Sequence, residues 1–368
     1  MQHRVSKQAA VAGGAVLALA LAACSSSSST STPASPASPG GSTPATASAN
    51  SSLSGTLNAS GSTFQTNFQQ QAISNFHSVD PGVTVNYGGG GSSKGRTDLA
   101  SGTVQFAGSD SPIPASEKAN FNGKTVLYFP VQVGPIAIAY NLSGVSSLKL
   151  DSTTLAGIFQ GTIKTWNDAA IKAINPGVSL PSTAITLVVR SDGSGTTANF
   201  SKYLVKAAGT SWKLGTGSTI AWPSSAHAAS GGSGVAQAVH TTAGSIGYVD
   251  DSTAKAAGLS VASIKNSSGA YVAPTTAGAS AAASQVTPAA NLTFSAVDQP
   301  GAASYPITYQ SYDLVYAKQP NANTAALLKA YIGYLLGAGQ QLLAPIGLAP
   351  LPSSIDSKAT AQLSQITS

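Results

Sequence analysis

From residue 55 onward, short runs of apolar and β-branched residues alternate with stretches whose apolar positions recur at helical spacing. "LSGTLNASGSTF" predicts a strand running into a Gly/Ser turn, and "QTNFQQQAISNFH" sets Phe68, Ala72, Ile73 and Phe76 on one helical face. "VTVNY" predicts a second strand, which enters "GGGGSSKGRTDLASG", and "VQFAGSD" a third, which ends at Asp110 shortly before Pro112. The long apolar run "TVLYFPVQVGPIAIAYN" follows. Further on, "AITLVV" reads as a short buried strand that enters "RSDGSGTT", and helical spacing resumes from Asn199 to Ala208. Strands alternating with helices predict an α/β fold with largely parallel sheets, in which ligands sit at the carboxyl ends of strands. The low-complexity stretch "APTTAGASAAASQVTPAANLTF", 273–294, predicts a surface excursion, and no internal repeat is present.

The first 54 residues follow another pattern. "MQHRVSK" is basic, and "AAVAGGAVLALALAAC" then supplies an apolar run ending in Leu21-Ala22-Ala23-Cys24. That sequence predicts a lipoprotein signal peptide over 1–23, with Cys24 as the lipidated residue. Cys24 is the only cysteine, so no intramolecular disulfide can form. Residues 25–54 contain no charge and one sizeable apolar side chain, Leu53. From Cys24 to residue 54 the chain therefore predicts a disordered Ser/Pro/Ala tether spanning on the order of 30 Å. The expected location is the outer side of the cytoplasmic membrane, with membrane contact through the lipid alone.

The chain has 368 residues, 42% of them hydrophobic, enough for one large core or two moderate ones. Arg4 and Lys7 of the leader supply two of its +6 charges. The remaining excess is mild and no Lys/Arg cluster is interleaved with aromatics, so nucleic acid is not an expected partner. Only 8% of residues are charged, which makes the spacing of Arg190 and Asp192 before Gly193-Ser194-Gly195-Thr196 notable. Small residues at a strand-to-helix junction leave the first helical N–H groups uncovered, and these form an anion site with the helix dipole.

Three earlier strand ends carry similar chemistry. "ASGSTF" offers Ser62 and Thr63 at a helix start, which also suits an ordinary N-cap. "GGGGSSKG" lacks the order Gly-Lys-Ser/Thr of a nucleotide-binding P-loop, but brings Ser92 and backbone N–H groups near something small. "FAGSDSPIP" ends in Asp110, either a helix cap or a carboxylate beside an anion that itself carries a proton.

Together, "ASGSTF", "VNYGGGGSSKG", "FAGSDSP" and "RSDGSGT", in this order, resemble the motifs of the periplasmic phosphate-binding proteins of the high-affinity ABC phosphate importer, the PstS type. Further likeness runs through "GIFQGTIKTWND", "GTGSTIAWP" and "GSIGYVD", covering roughly Gly55 to Pro350. The resemblance implies a type II periplasmic-binding-protein fold, with two α/β lobes joined by a hinge and a cleft between them. Lobe I is expected to comprise 55–138 plus 306–368 and lobe II 139–305, with "GPIAIAYN" and "YPITYQSYDLVYA" as the crossings.

Carried over to this chain, the resemblance implies a dehydrated phosphate held by the hydroxyls of Thr63, Ser92, Ser194 and Thr196 and by the N–H groups of Phe64, Ser92, Ser194, Gly195 and Thr196. Arg190 would offer its fork to two phosphate oxygens, Asp192 would orient Arg190 from behind, and Asp110 would accept the ligand's proton. The implied partners are inorganic phosphate and the permease subunits of the importer, with no cofactor and no metal. Lys94 and Arg96 depart from the family pattern and are expected to alter the charge at the cleft mouth.

The rival readings are a phosphate-ester hydrolase using Ser194 and a surface adhesin. Ser194 lies in no G-x-S-x-G, and His77, His227 and His240 lie in no triad-like motif. The reading is therefore of a binding protein and not an enzyme.

Overall fold

The computed structural model describes residues 53–368; the leader, Cys24 and all but the end of the tether lie outside the described residues. In chain order the first elements are β1 (Gly55–Gly61), α1 (Thr66–Val79), β2 (Val83–Gly90), α2 (Ser92–Ser101), β3 (Phe106–Ser109) and the long β4 (Val126–Asn141). Next come β5 (Lys149–Leu150), α3 (Ser152–Phe159), α4 (Ala169–Ile174), β6 (Thr186–Arg190), α5 (Gly195–Tyr203), β7 (His227–Ala229), α6 (Gly231–Thr241), β8 (Ser245–Asp250) and α7 (Asp251–Ala256). The last part carries β9 (Ser260–Val261), β10 (Ser263–Lys265), β11 (Tyr271–Val272), α8 (Thr276–Ala283), β12 (Thr308–Tyr316), α9 (Ala322–Leu336) and α10 (Ser353–Gln362).

The main sheet has the order β2-β1-β3-β12-β4-β8-β6-β7, with β9 also on β4. Its two flanks are parallel, as the alternation of strands and helices predicts: β1 with β2 and β3, and β6 with β7 and β8. The middle is not. β12 runs antiparallel to both β3 and β4, and β4 antiparallel to β8, because these strands carry the chain across and back. β4 pairs with β12 along Val126–Pro135 and with β8 along Ile136–Asn141, so one strand belongs to both flanks.

Helix faces follow the sequence pattern. Phe68, Ala72 and Phe76 of α1 are buried four residues apart, and each fully buried Phe contributes roughly 1.5–3 kcal/mol of hydrophobic stabilisation. α9 begins at Asn321, whose side chain accepts the Thr324 N–H at 2.8 Å, and buries Leu328, Tyr331, Ile332 and Leu335. Aromatic pairs lie behind the strand ends: Phe64 against Tyr309 (centroids 4.3 Å apart) and Phe200 stacked on Tyr248 (4.8 Å).

The segment 273–294 is not a surface excursion. Residues 276–283 form α8, whose Gly278, Ala279, Ala282 and Ala283 are buried, and Leu292 is buried as well. Its small side chains let the helix backbone lie close to β4, so alanine richness here reflects packing and not solvation.

Candidate anion-binding site

The parallel strands β1, β2 and β3 of one flank and β6 of the other bring their carboxyl ends together, and every expected ligand-binding residue ends or follows one of them. At the end of β1 the register with β2 slips between Ser60 and Gly61. Gly61 adopts φ +138°, and a Cβ there would run into the Gly108 carbonyl of β3, so only glycine permits this turn. The turn delivers Ser62, whose hydroxyl donates to Asp110 Oδ1 at 2.6 Å.

Asp110 is the centre of the arrangement, 2% exposed at the end of β3. Ser311 donates to the same Oδ1 at 2.6 Å, and Ser92 Oγ lies 3.4 Å from Oδ2 while accepting the Asp110 N–H at 3.1 Å. Ser311 comes from β12, where the register with β4 shifts opposite Val131. Pro130 beside this bulge has no N–H to give to the ladder. The Asp110 carbonyl accepts from Asn199 Nδ2 at 2.7 Å and Gln310 Nε2 at 3.1 Å. Burial pushes the Asp110 carboxyl up to about 6, against the lowering effect of the Ser311 and Ser62 hydroxyls and of Arg190.

Opposite stands the β6–α5 junction. Arg190 is 5% exposed and pairs with Asp192 through Nε to Oδ1 at 2.7 Å and Nη2 to Oδ2. Burial alone would raise the Asp192 carboxyl, but the Arg190 guanidinium and the Gly231 N–H at 2.9 Å hold it below the ordinary range. The fork of Arg190 therefore faces Asp192. Nη1 contacts Thr196 Oγ1 at 3.3 Å, so three of the five guanidinium N–H groups have partners within the protein.

Ser194 caps α5, its Oγ accepting the N–H of Thr196 at 3.1 Å and of Thr197 at 3.3 Å, so its hydroxyl proton is directed outward. Its own N–H donates to the Ser218 carbonyl at 2.9 Å, which differs from the expectation that this N–H faces the ligand. Ser92 and Gly195 are the first residues of α2 and α5, and their N–H groups have no partner within the helix.

The two sides meet. A Cβ built on Gly195 would lie 2.5 Å from Asp110 Cβ, 2.5 Å from Ser92 Oγ and 2.6 Å from Asp110 Oδ2. The Ser93 N–H donates to the Gly193 carbonyl at 3.0 Å, and the Gly232 N–H reaches Thr63 Oγ1 at 3.4 Å. Beside Thr63 and Phe64 a cavity of about 310 Å³ opens toward Gly231, Gly232 and Asp250. A larger one, about 500 Å³ between Ile113, Phe121 and Tyr128, contains none of these residues.

Lys94 is exposed and paired with Asp98, whereas Arg96 is 1% exposed and bound to Glu117, so it does not stand at the cleft mouth. Ser311, Asn199 and Gln310, which hold Asp110 together with Ser62, were not expected from sequence. Ser62 was offered by the sequence as a residue at a helix start, and the structure gives it to Asp110 instead.

In chemical terms the arrangement places one buried acceptor among hydroxyl and N–H donors, with a single cation held by its own carboxylate. Such a set suits a small tetrahedral anion that carries a proton.

Two α/β flanks sharing antiparallel crossing strands, with strand ends facing each other, define the two-lobed periplasmic-binding-protein fold. A family model described as "PBP superfamily domain" matches residues 46–338. Phosphate-binding protein PstS 3 of Mycobacterium leprae is 38% identical over 315 residues, covering 82% of this chain and 85% of that protein. Phosphate-binding protein PstS 2 of Mycobacterium tuberculosis is 38% identical over 325 residues, covering 84% and 87%. The chain belongs to the PBP superfamily and, within it, to the family of the PstS phosphate-binding proteins. Among solved structures, the high-affinity periplasmic phosphate-binding protein PfluDING, bound with phosphate, superposes with a TM-score of 0.71 at 23% identity, covering 84% of this chain and 94% of that one. The phosphate-binding protein from Stenotrophomonas maltophilia gives 0.69 at 18% identity, covering 84% and 94%.

Proposed function

We propose that this protein captures inorganic phosphate outside the cytoplasmic membrane and delivers it to an ABC phosphate importer, without chemistry on the ligand. The observation that carries this reading is Asp110, a buried acceptor held by Ser62 and Ser311 and facing the N-terminus of α5. Phosphate near neutral pH retains a proton and donates it to Asp110, while its other oxygens take hydrogen bonds from the site. In this reading Thr63, Ser92, Ser194 and Thr196 give hydroxyls and Ser92 and Gly195 give N–H groups, while the N–H groups of Phe64 and Thr196, which donate to Ser62 Oγ and Ser194 Oγ at 3.1 Å, turn to the ligand only by leaving those partners. Arg190 gives the one cation, which Asp192 orients.

Residues 55–138 plus 306–368 form lobe I and 139–305 lobe II, and closure of one on the other is the signal read by the permease. The PstS names of the relatives and the phosphate-bound neighbour support the ligand. Lipidation at Cys24 is part of the proposal and is supported by the sequence of the leader.

Calorimetric titration with inorganic phosphate tests the reading, with saturable one-to-one binding expected. Absence of both heat and thermal stabilisation at excess phosphate would overturn it. A chromogenic phosphate ester incubated with the same protein is expected to remain intact, and turnover lost in Ser194→Ala would favour the hydrolase reading.

A further inference from the structure

Arg96 lies in α2 with its side chain 1% exposed, one turn beyond Ser92, and it makes five hydrogen bonds to four side chains. Two go to Glu117, from Nε at 2.6 Å and Nη2 at 2.9 Å. Nη1 reaches Ser109 Oγ at 3.1 Å and Ser111 Oγ at 3.4 Å, and Nη2 reaches Ser93 Oγ at 3.0 Å. The three serines are neighbours of the candidate ligand-binding residues: Ser93 follows Ser92, and Ser109 and Ser111 bracket Asp110.

The pair with Glu117 neutralises the guanidinium and fixes its plane, so the remaining N–H groups have set directions. One of them occupies a lone pair of Ser93 Oγ. The Ser93 hydroxyl proton is then aimed at Ser218 Oγ, 3.2 Å away, in the segment after α5. The Ser218 carbonyl in turn accepts the Ser194 N–H at 2.9 Å. A continuous path thus runs from Arg96 through Ser93 and Ser218 to Ser194, from one face of the cleft to the other.

We propose that Arg96 is a positioning residue with two tasks: it holds the α2 start and the Asp110 turn in one frame, and it aims the Ser93–Ser218 latch that joins the faces. The first task rests on the phosphate reading of Ser92 and Asp110; the latch does not.

The test is a cycle of Arg96→Gln, Ser218→Ala and the double variant, read by phosphate affinity and dissociation rate, with Arg96→Lys alongside. Loss of hydrogen bonds from a charged donor predicts about tenfold weaker binding in Arg96→Gln, mostly through faster release. In the Ser218→Ala background the same substitution is expected to cost less, because the Ser93 hydroxyl has lost its partner. Arg96→Lys keeps the charge opposite Glu117 but not the fork. It is expected to restore thermal stability without restoring affinity, whereas a merely structural role predicts that both return together. Additive losses in the cycle, or parental affinity in Arg96→Gln, would overturn the proposal. Should the parent bind no phosphate, the ligand reading falls alone, and the cycle is then read by small-angle scattering. Expanded profiles in both single variants, with no further expansion in the double, would uphold the latch, and identical profiles throughout would overturn it.

Discussion

Gly195 approaches Asp110 so closely that a Cβ on the glycine would fall 2.5 Å from the aspartate's own Cβ. The first residue of α5 and the residue just after β3 thus leave no room for a methyl group between them. Alanine is a good helix former, so Gly195→Ala leaves α5 intact. What it obstructs is the approach of the two faces. Overpacking of this kind costs about 1–3 kcal/mol, which predicts phosphate binding weaker by about fivefold to about 150-fold with little change in thermal stability. Parental affinity in a calorimetric titration would show that the faces need not meet this closely.

Selectivity against sulfate should depend on Asp110. Sulfate has the shape of phosphate but no proton to donate at neutral pH, so it meets the carboxylate as an unpaired repulsion in a dry site. The ratio of phosphate to sulfate affinity is expected to fall at least about tenfold in Asp110→Asn at fixed pH and ionic strength. An unchanged ratio would mean that Asp110 does not read the proton.

Removing Arg190 takes away the cation that the described residues place at the α5 start and strands Asp192 near the ligand. Charge-assisted hydrogen bonds are worth about 1.5–3 kcal/mol each, so Arg190→Ala should weaken phosphate binding by at least about tenfold. Asp192→Asn is expected to be milder, since it frees the guanidinium without deleting it. The reverse order in titration would assign the main role to Asp192.

A second buried carboxyl, Asp313 of β12, sets a pH dependence of stability. Burial pushes it up to about 7, only partly opposed by the side-chain amides of Gln65 and of Gln69, the latter 3.4 Å away. Between the ordinary carboxylate range and about 7 the folded protein keeps a proton that the unfolded chain has lost, so stability falls as pH rises through that window. Asp110, raised to about 6, acts in the same direction over a narrower window. Asp313→Asn should flatten the profile, gaining on the parent between about pH 4.5 and about pH 8 in thermal melts without ligand. Parallel profiles would show that Asp313 does not titrate as its burial implies.

If Cys24 carries the lipid, Cys24→Ala should move the protein from the membrane fraction to the soluble fraction of the envelope or medium. A variant that stays with the membrane would remove the anchor from the proposal.

Ser92, Asp110 and Arg190 were legible as candidates because each lies at the carboxyl end of a strand, where local pattern and local chemistry coincide. Ser311 was not, since it lies inside a buried strand 201 residues from its partner Asp110, and nothing near it in sequence marks it. Arg96 was misplaced for a related reason: the charge that cancels it, Glu117, is 21 residues downstream and outside any motif. α8 was missed because alanine favours a helix in close packing as readily as it fills a polar tether. The parallel flanks followed from the alternation of elements, but the antiparallel middle depends on where the chain crosses, which periodicity does not record.

The place of β12 between β3 and β4 has a consequence for how the chain must fold. Its two neighbours are complete by residue 141, yet β12 itself begins at Thr308, so both strands keep an open edge until most of the polypeptide exists. Pairings across such separations form slowly, and an unpaired edge invites other chains. A polypeptide cut short before residue 308 is therefore not a smaller version of this domain but a fragment with two adhesive edges, prone to aggregate.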